Sequence, residues 1–143
     1  MKNLYNVFSD GGSRGNPGPA AIGYVVYKNN TILFRGSQYI GHTTNNEAEY
    51  MAILKVLTKI KLEISAEGII KCYLDSELVV RQLLGIYKIK NINLKNIATQ
   101  VFSVINDLKN IGFTLSFQSI PREGNKEADS LVNQALDMEL NQQ

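Results

Sequence analysis

Apolar and polar positions alternate along the first forty residues in three short runs, each closed by turn-forming residues. Leu4 to Ser9 is rich in strand formers. It is followed by Asp10-Gly11-Gly12-Ser13-Arg14-Gly15-Asn16-Pro17-Gly18-Pro19, a dense turn signal. Ala21 to Tyr27 and Ile32 to Ile40 read as two more strands, and the short Lys28-Asn29-Asn30 between them predicts an antiparallel hairpin. Beyond them the period changes. Thr43-Thr44-Asn45-Asn46 offers helix-capping residues, after which Ala52, Ile53, Val56, Leu57 and Ile60 recur at helical spacing. Ile69 to Leu74 is an apolar run interrupted only by Lys71, and so predicts a buried strand. Ser76 to Leu84 predicts a short helix. A longer one is predicted over Asn96 to Leu108, with Gly112 at its end. Phe113 to Ile120 alternates as a strand with one wet face, and Asn125 to Met138 closes the chain as a helix.

The predicted order is therefore β-β-β-α-β-α-α-β-α. An antiparallel meander followed by strands joined through helices implies an α/β fold on a mixed sheet with helices on its faces. Within that pattern four carboxylates stand where they are unwelcome. Asp10 and Asp75 close apolar strands, while Glu49 lies one turn before Ala52 and Ile53, and Asp129 stacks with Val132 and Leu136. A buried carboxylate needs a cation to offset its desolvation. Asp10 and Asp75 both fall at the carboxyl ends of strands, where ligands bind in such sheets. Glu49 and Asp129 would complete the cluster from the covering helices. Oxygen ligands without histidine or cysteine suit Mg²⁺ or Mn²⁺ better than Zn²⁺.

Composition narrows the classes further. At 143 residues with 44% hydrophobic and 20% charged residues, the chain has the size and make-up of one globular domain. The reading is a single domain over 1–143, with a folded core at 1–138 and a tail at 139–143. The one cysteine, Cys72, sits in an apolar run and is expected in the core. No apolar segment reaches the ~20 residues of a membrane span, and no signal-peptide pattern opens the chain, so a soluble cytoplasmic protein without a membrane partner is expected. A net charge of +2 is too mild to dictate a polyanion partner. Arg81, Lys88, Lys90 and Lys95 fall in one acid-poor segment, which suits a nucleic-acid contact or an ordinary solvated face equally.

The glycine-rich stretch after Asp10 carries neither a Walker A lysine nor the G-x-G-x-x-G spacing. It serves either as a tight turn or as a place of close backbone approach to a ligand. Thr44, Asn45 and Asn46 are helix-capping types and also small polar groups beside Glu49. His42 is the only histidine, and no G-x-S-x-G accompanies it.

Four motifs in register resemble type 1 ribonuclease H, in the form seen in archaeal and many bacterial members. They are the Asp10–Pro19 string, Thr44-Asn45-Asn46-Glu47-Ala48-Glu49-Tyr50, Leu74-Asp75-Ser76-Glu77, and Pro121-Arg122-Glu123-Gly124-Asn125-Lys126-Glu127-Ala128-Asp129. The resemblance implies the ribonuclease H-like fold, a five-stranded mixed sheet with a β1-β2-β3 meander. It implies an endonuclease that cuts the RNA strand of RNA–DNA hybrids with two Mg²⁺ ions, Mn²⁺ being an alternative, and leaves 5′-phosphate and 3′-hydroxyl ends. Asp10, Glu49, Asp75 and Asp129 take the catalytic and metal-holding positions. Gly11, Gly12, Ser13, Asn16, Thr44, Asn45 and Asn46 take substrate-contact positions, with the backbone at Gly11 and Gly12 facing the 2′-hydroxyls. Double-stranded RNA is a second substrate to test, and no obligate protein partner is implied. A non-catalytic hybrid-binding module, or another nuclease of the superfamily, stays as the alternative. Two departures stand out. The loop before Asp129 lacks the histidine of many bacterial members, leaving Arg122 or Glu123 as candidates for its place. Gly85 to Leu94 is short, holds only Lys88 and Lys90, and lacks the tryptophans of a basic handle. With the first motif opening at Asp10, no preceding hybrid-binding domain is expected.

Overall fold

The computed structural model describes residues 3–65 and 67–141. Its elements are β1 (Asn3–Ser13), β2 (Gly18–Lys28), β3 (Thr31–Thr43), α1 (Asn45–Glu63), β4 (Gly68–Leu74), α2 (Glu77–Leu83), α3 (Ile92–Ile111), β5 (Thr114–Ser119) and α4 (Lys126–Asn141). A 3₁₀ turn at Arg122–Asn125 leads into α4. The sheet order is β3-β2-β1-β4-β5, antiparallel across β3, β2 and β1 and parallel across β1, β4 and β5. This is the mixed sheet expected from the pattern.

Several boundaries differ from the sequence reading. The stretch after Asp10 is strand rather than loop through Ser13, because β1 keeps pairing with β2 as far as Ser13↔Ala20. Turn propensity yields here to a ladder partner already in place. Helix α3 begins at Ile92 rather than Asn96. Asn91 supplies the cap, its Oδ1 accepting from the N–H groups of Asn93 (2.9 Å) and Leu94 (3.1 Å). The tract between α2 and α3 is therefore shorter still. At the other end α4 runs to Asn141, so 139–141 continue the helix, while 142–143 lie outside the described residues.

The larger core lies on one sheet face. Val7, Ile70, Cys72 and Leu74 pack there against Ile53 and Leu57 of α1 and Val101 and Leu108 of α3. Cys72 is buried as expected, and burial pushes its thiol pKa up. On the opposite face α4 covers the meander, with Val132, Ala135 and Leu136 over Ala21 and Tyr39. Among the described residues no helix is long and apolar enough to cross a membrane.

The seat of α4 on β2 depends on Gly23. A Cβ at this position would stand 2.5 Å from the Ala128 carbonyl oxygen and 2.8 Å from the Leu131 Cβ. Backbone on both sides cannot yield cheaply, so Gly23→Ala should destabilise the protein by about 1–3 kcal/mol. A urea titration followed by circular dichroism checks this, and an unchanged midpoint would refute the packing argument.

Candidate active site

Helix α1 brings the first acidic pair together. Its amino end is a capping box: Thr44 Oγ1 accepts from the Glu47 N–H at 3.2 Å, and the Glu47 carboxylate accepts from the Thr44 N–H at 3.3 Å. Glu47 also accepts from the Thr43 hydroxyl, and that bond holds its pKa below the ordinary value. From this anchored end α1 crosses β1 at Gly11, where any Cβ would overlap the Ala48 carbonyl. The approach lets Glu49 reach over the strand to Asp10, their carboxylate oxygens lying within 4.8 Å of each other. The glycine at 11 thus admits a helix, whereas Gly12 on the other face lines an open cleft.

Asp10 is interior to β1 rather than at its end, but the parallel β1–β4 ladder stops at Phe8↔Tyr73. Asp10 therefore stands just beyond the carboxyl end of the parallel pairing, and so does Asp75, the residue after β4. Carboxylate oxygens of Asp10, Glu49 and Asp75 lie within 4.8 Å of one another. Asp129 is outside that group. It sits in the first turn of α4, where negative charge suits the helix dipole, and its side chain is 30% exposed with Arg122 Nη2 at 3.5 Å. So the expectation of four buried acids holds for two. Asp10 is 6% and Glu49 7% exposed, while Asp75 is half-buried. The reason is position along the helices: Glu49 faces the interior of the sheet, and Asp129 overhangs its rim.

The remaining candidates line the same cleft or support it. Gly11, Gly12, Ser13, Asn45, Asn46 and Arg122 line a cleft of about 390 Å³ together with the four acids. Asn45 Oδ1 accepts from both the N–H (2.9 Å) and the hydroxyl (3.2 Å) of Ser13. Asn16 Oδ1 accepts from the Asn45 N–H at 3.0 Å, and so secures the start of α1 from behind the cleft wall. Thr44 is committed to its cap. Glu123 is exposed on the 3₁₀ turn. Two cleft-side residues carried no role in the sequence reading. Arg14 joins Asp137 at 2.6 Å and Asn133 at 3.3 Å, tying the β1–β2 turn to α4. Asn125 is buried behind Asp75. Both stand inside recognised motifs, so their spacing was visible, but nothing in a linear pattern indicates which acceptors they meet.

Electrostatics follow from this crowding. Burial is the main cause that pushes the Asp10 carboxyl up to about 7, and the nearby Asp75 and Asp129 charges add to it. Burial, then the Asp10 charge, holds Glu49 well above the ordinary carboxylate value, and burial also raises Asp75. With their oxygens within 4.8 Å of one another, these crowded carboxyls favour a proton or a cation between them. Glu49 Oε2 is buried without a hydrogen-bond partner. An orphaned acceptor in a nest of carboxylate oxygens is the donor set of a hard divalent cation, so the residues present fit Mg²⁺ or Mn²⁺.

Comparison with known proteins places this geometry. The sequence profile of the family described as RNase H matches residues 2–137. The bifunctional protein Rv2228c of Mycobacterium tuberculosis is 37% identical over 132 residues, spanning 90% of this chain and 34% of its own length. A ribonuclease HI of Halobacterium salinarum is 35% identical over 136 residues, spanning 92% of this chain and 64% of its own length. The chain thus spans about a third of the first relative and just under two thirds of the second. Among solved structures, LC11-RNase H1 in complex with an RNA/DNA hybrid superposes with a TM-score of 0.87 at 38% identity, covering 97% of this chain and 99% of its own.

The raised acids predict an unusual pH dependence in chelator. A carboxyl with a folded pKa about 7 and an unfolded one about 4 favours the fold while protonated, and that stability is lost as pH rises through the folded value. Between pH 5.5 and 8 the metal-free melting temperature should fall. Asp10→Asn should flatten the fall, and Mg²⁺ should restore stability at pH 8. Melting curves in chelator that do not vary over this range would contradict the assignment.

Proposed function

The chain belongs to the ribonuclease H family, and from that premise we propose that it is an endoribonuclease that hydrolyses the RNA strand of RNA–DNA hybrids. The observation that carries the reading is the Asp10, Glu49 and Asp75 group, with oxygens within 4.8 Å, at the base of an open cleft. Asp10, Glu49 and Asp75 would hold Mg²⁺, with Mn²⁺ as an alternative and Asp129 contributing from α4. Bound divalent ions would supply Lewis-acid chemistry, lowering the pKa of water and stabilising charge on the scissile phosphate. Water adds to phosphorus, the bond to the 3′-oxygen breaks, and that oxygen takes the proton. The products are a 5′-phosphate and a 3′-hydroxyl.

The other cleft residues have roles suited to their chemistry. Gly12, Ser13, Asn45 and Asn46 present small polar groups and open backbone along one wall, matched to ribose hydroxyls and phosphates. The neighbouring Gly11 makes room for α1 at Ala48 and Glu49, so its part is to seat that acid. Thr44 and Asn16 act through the start of α1, which they fix. Arg122 takes the place of the loop histidine rather than Glu123, because it alone of the two reaches the cleft and pairs with Asp129. A guanidinium does not release its proton in proteins, so Arg122 would act by charge on the leaving group or product and not as a proton shuttle. LC11-RNase H1 has been captured with an RNA/DNA hybrid, and its close superposition supports the same substrate here. Soluble cytoplasmic action accords with the substrate.

A cleavage assay on labelled RNA–DNA hybrid, duplex RNA and duplex DNA, with Mg²⁺, Mn²⁺ or chelator, tests the reading. The hybrid should be cut with either ion and remain whole in chelator. Duplex DNA should remain whole, and the duplex RNA arm measures the breadth of specificity. Asp10→Asn should lose more than the roughly 10–100-fold typical of an outer-shell change. Hybrid retarded on a gel but uncut would assign the chain to binding without cleavage. In the same assay Arg122→Ala should lower kcat while leaving the concentration of Mg²⁺ needed for half-maximal rate unchanged. A proportionate rise in that concentration would make Arg122 part of the metal site.

A further inference from the structure

Strands β1 and β4 part company just where the carboxylates stand. Their last paired residues are Phe8 and Tyr73, and the next residues toward the cleft have no ladder between them. On its other side β4 remains tied, since the Ile120 N–H donates to the Leu74 carbonyl at 2.8 Å. On the β1 side the gap is spanned by one side chain. Asn125, 1% exposed at the end of the 3₁₀ turn, donates from Nδ2 to the Ser9 carbonyl at 2.9 Å and makes a longer contact to Asp75 Oδ2 at 3.5 Å.

The orientation of this amide is dictated by its neighbours. Both partners are acceptors, so only the nitrogen can face them; the reversed amide would set three oxygens together. The consequence is that Asn125 Oδ1 is buried without a partner. An unsatisfied buried carbonyl is costly, so the side chain is not explained by packing alone. What asparagine supplies at this spot is an NH₂ with two protons, one for each strand. Asn125 is also followed directly by α4, whose first turn carries Asp129. One turn of chain therefore links the Asp75 strand, the Asp10 strand and the Asp129 helix.

We propose that Asn125 is a positioning residue of the carboxylate site: its amide bridges the diverging ends of β1 and β4 and sets the Asp75 carboxylate against Asp10 in the geometry that receives a divalent cation. The proposal rests on the metal-dependent reading above. It assigns Asn125 no contact with substrate and no share in proton transfer.

The test measures binding of Mn²⁺ to the substrate-free protein by the loss of the free-ion paramagnetic signal, alongside cleavage kinetics and melting in chelator. Asn125→Ala should weaken Mn²⁺ binding by about 10–100-fold, as removal of an outer-shell partner does. The Mg²⁺ concentration for half-maximal cleavage should rise in parallel, with KM for the hybrid unchanged. A purely structural role would lower the melting temperature and leave the Mn²⁺ affinity of the folded protein unmoved, and that result would overturn the proposal. Asn125→Ser, which keeps a small polar group too short to span both strands, serves if the alanine variant does not fold, and it should show the same loss. If neither variant folds, Asn125 is a core residue and the proposal fails. A wild-type protein that binds no Mn²⁺ and cuts no hybrid would instead sink the functional reading itself.

Discussion

The close passage of α1 over β1 at Gly11 is the constraint from which the rest of the site follows. Helix and strand backbones come so near that no side chain fits between them. That nearness carries Glu49 from one element to Asp10 on another. The capping box at Thr44 and Glu47 fixes where the helix begins, and Asn16 and Asn45 pin that beginning to the β1–β2 turn. A helix started one residue later would rotate Glu49 by about 100° away from the strand, given 3.6 residues per turn. Local capping chemistry and a missing Cβ thus decide an electrostatic arrangement several residues away.

The price of that arrangement is an acidic nest that the apolar core on either face must hold in place. Desolvation and mutual repulsion raise the carboxyls, and Glu49 keeps a buried oxygen unpaired. Such a cluster opposes folding when fully ionised and becomes favourable when a proton or a divalent cation enters it. The fold tolerates it because the acids gather at one rim, where the parallel ladder has ended and no backbone pairing is broken to admit them. The two cores lie elsewhere, one under α1 and α3 and the other under α4.

Much of this was legible in the chain. The switch from period two to helical period marks the elements in their order, and the acids stand out as polar residues in apolar runs. Boundaries were less legible where a partner overrides local preference. Gly11, Gly12 and Ser13 read as turn formers, yet β2 holds them in a strand as far as Ser13. Asn91 looks like any loop asparagine until its side chain is seen to cap α3. Arg14 and Asn125 could be named from their motifs but not given partners, because Asp137 and Ser9 lie more than a hundred residues from them.

The sequence by itself determined which groups could do chemistry here: four carboxylates, glycines that permit close approach, small polar residues at a helix start, and a loop before Asp129 that offers Arg122 and Glu123 but no histidine. These are properties of residue type and short-range spacing, which a linear pattern preserves. Only the tertiary structure decided that three of the acids share one coordination-sized space while Asp129 overhangs it beside Arg122. It also decided that Gly11 makes room for a helix and that one buried amide spans two strands. Distances of a few ångströms between residues far apart in sequence depend on how helices seat on a sheet, and hydrophobic periodicity specifies the face of each element without its depth or its end.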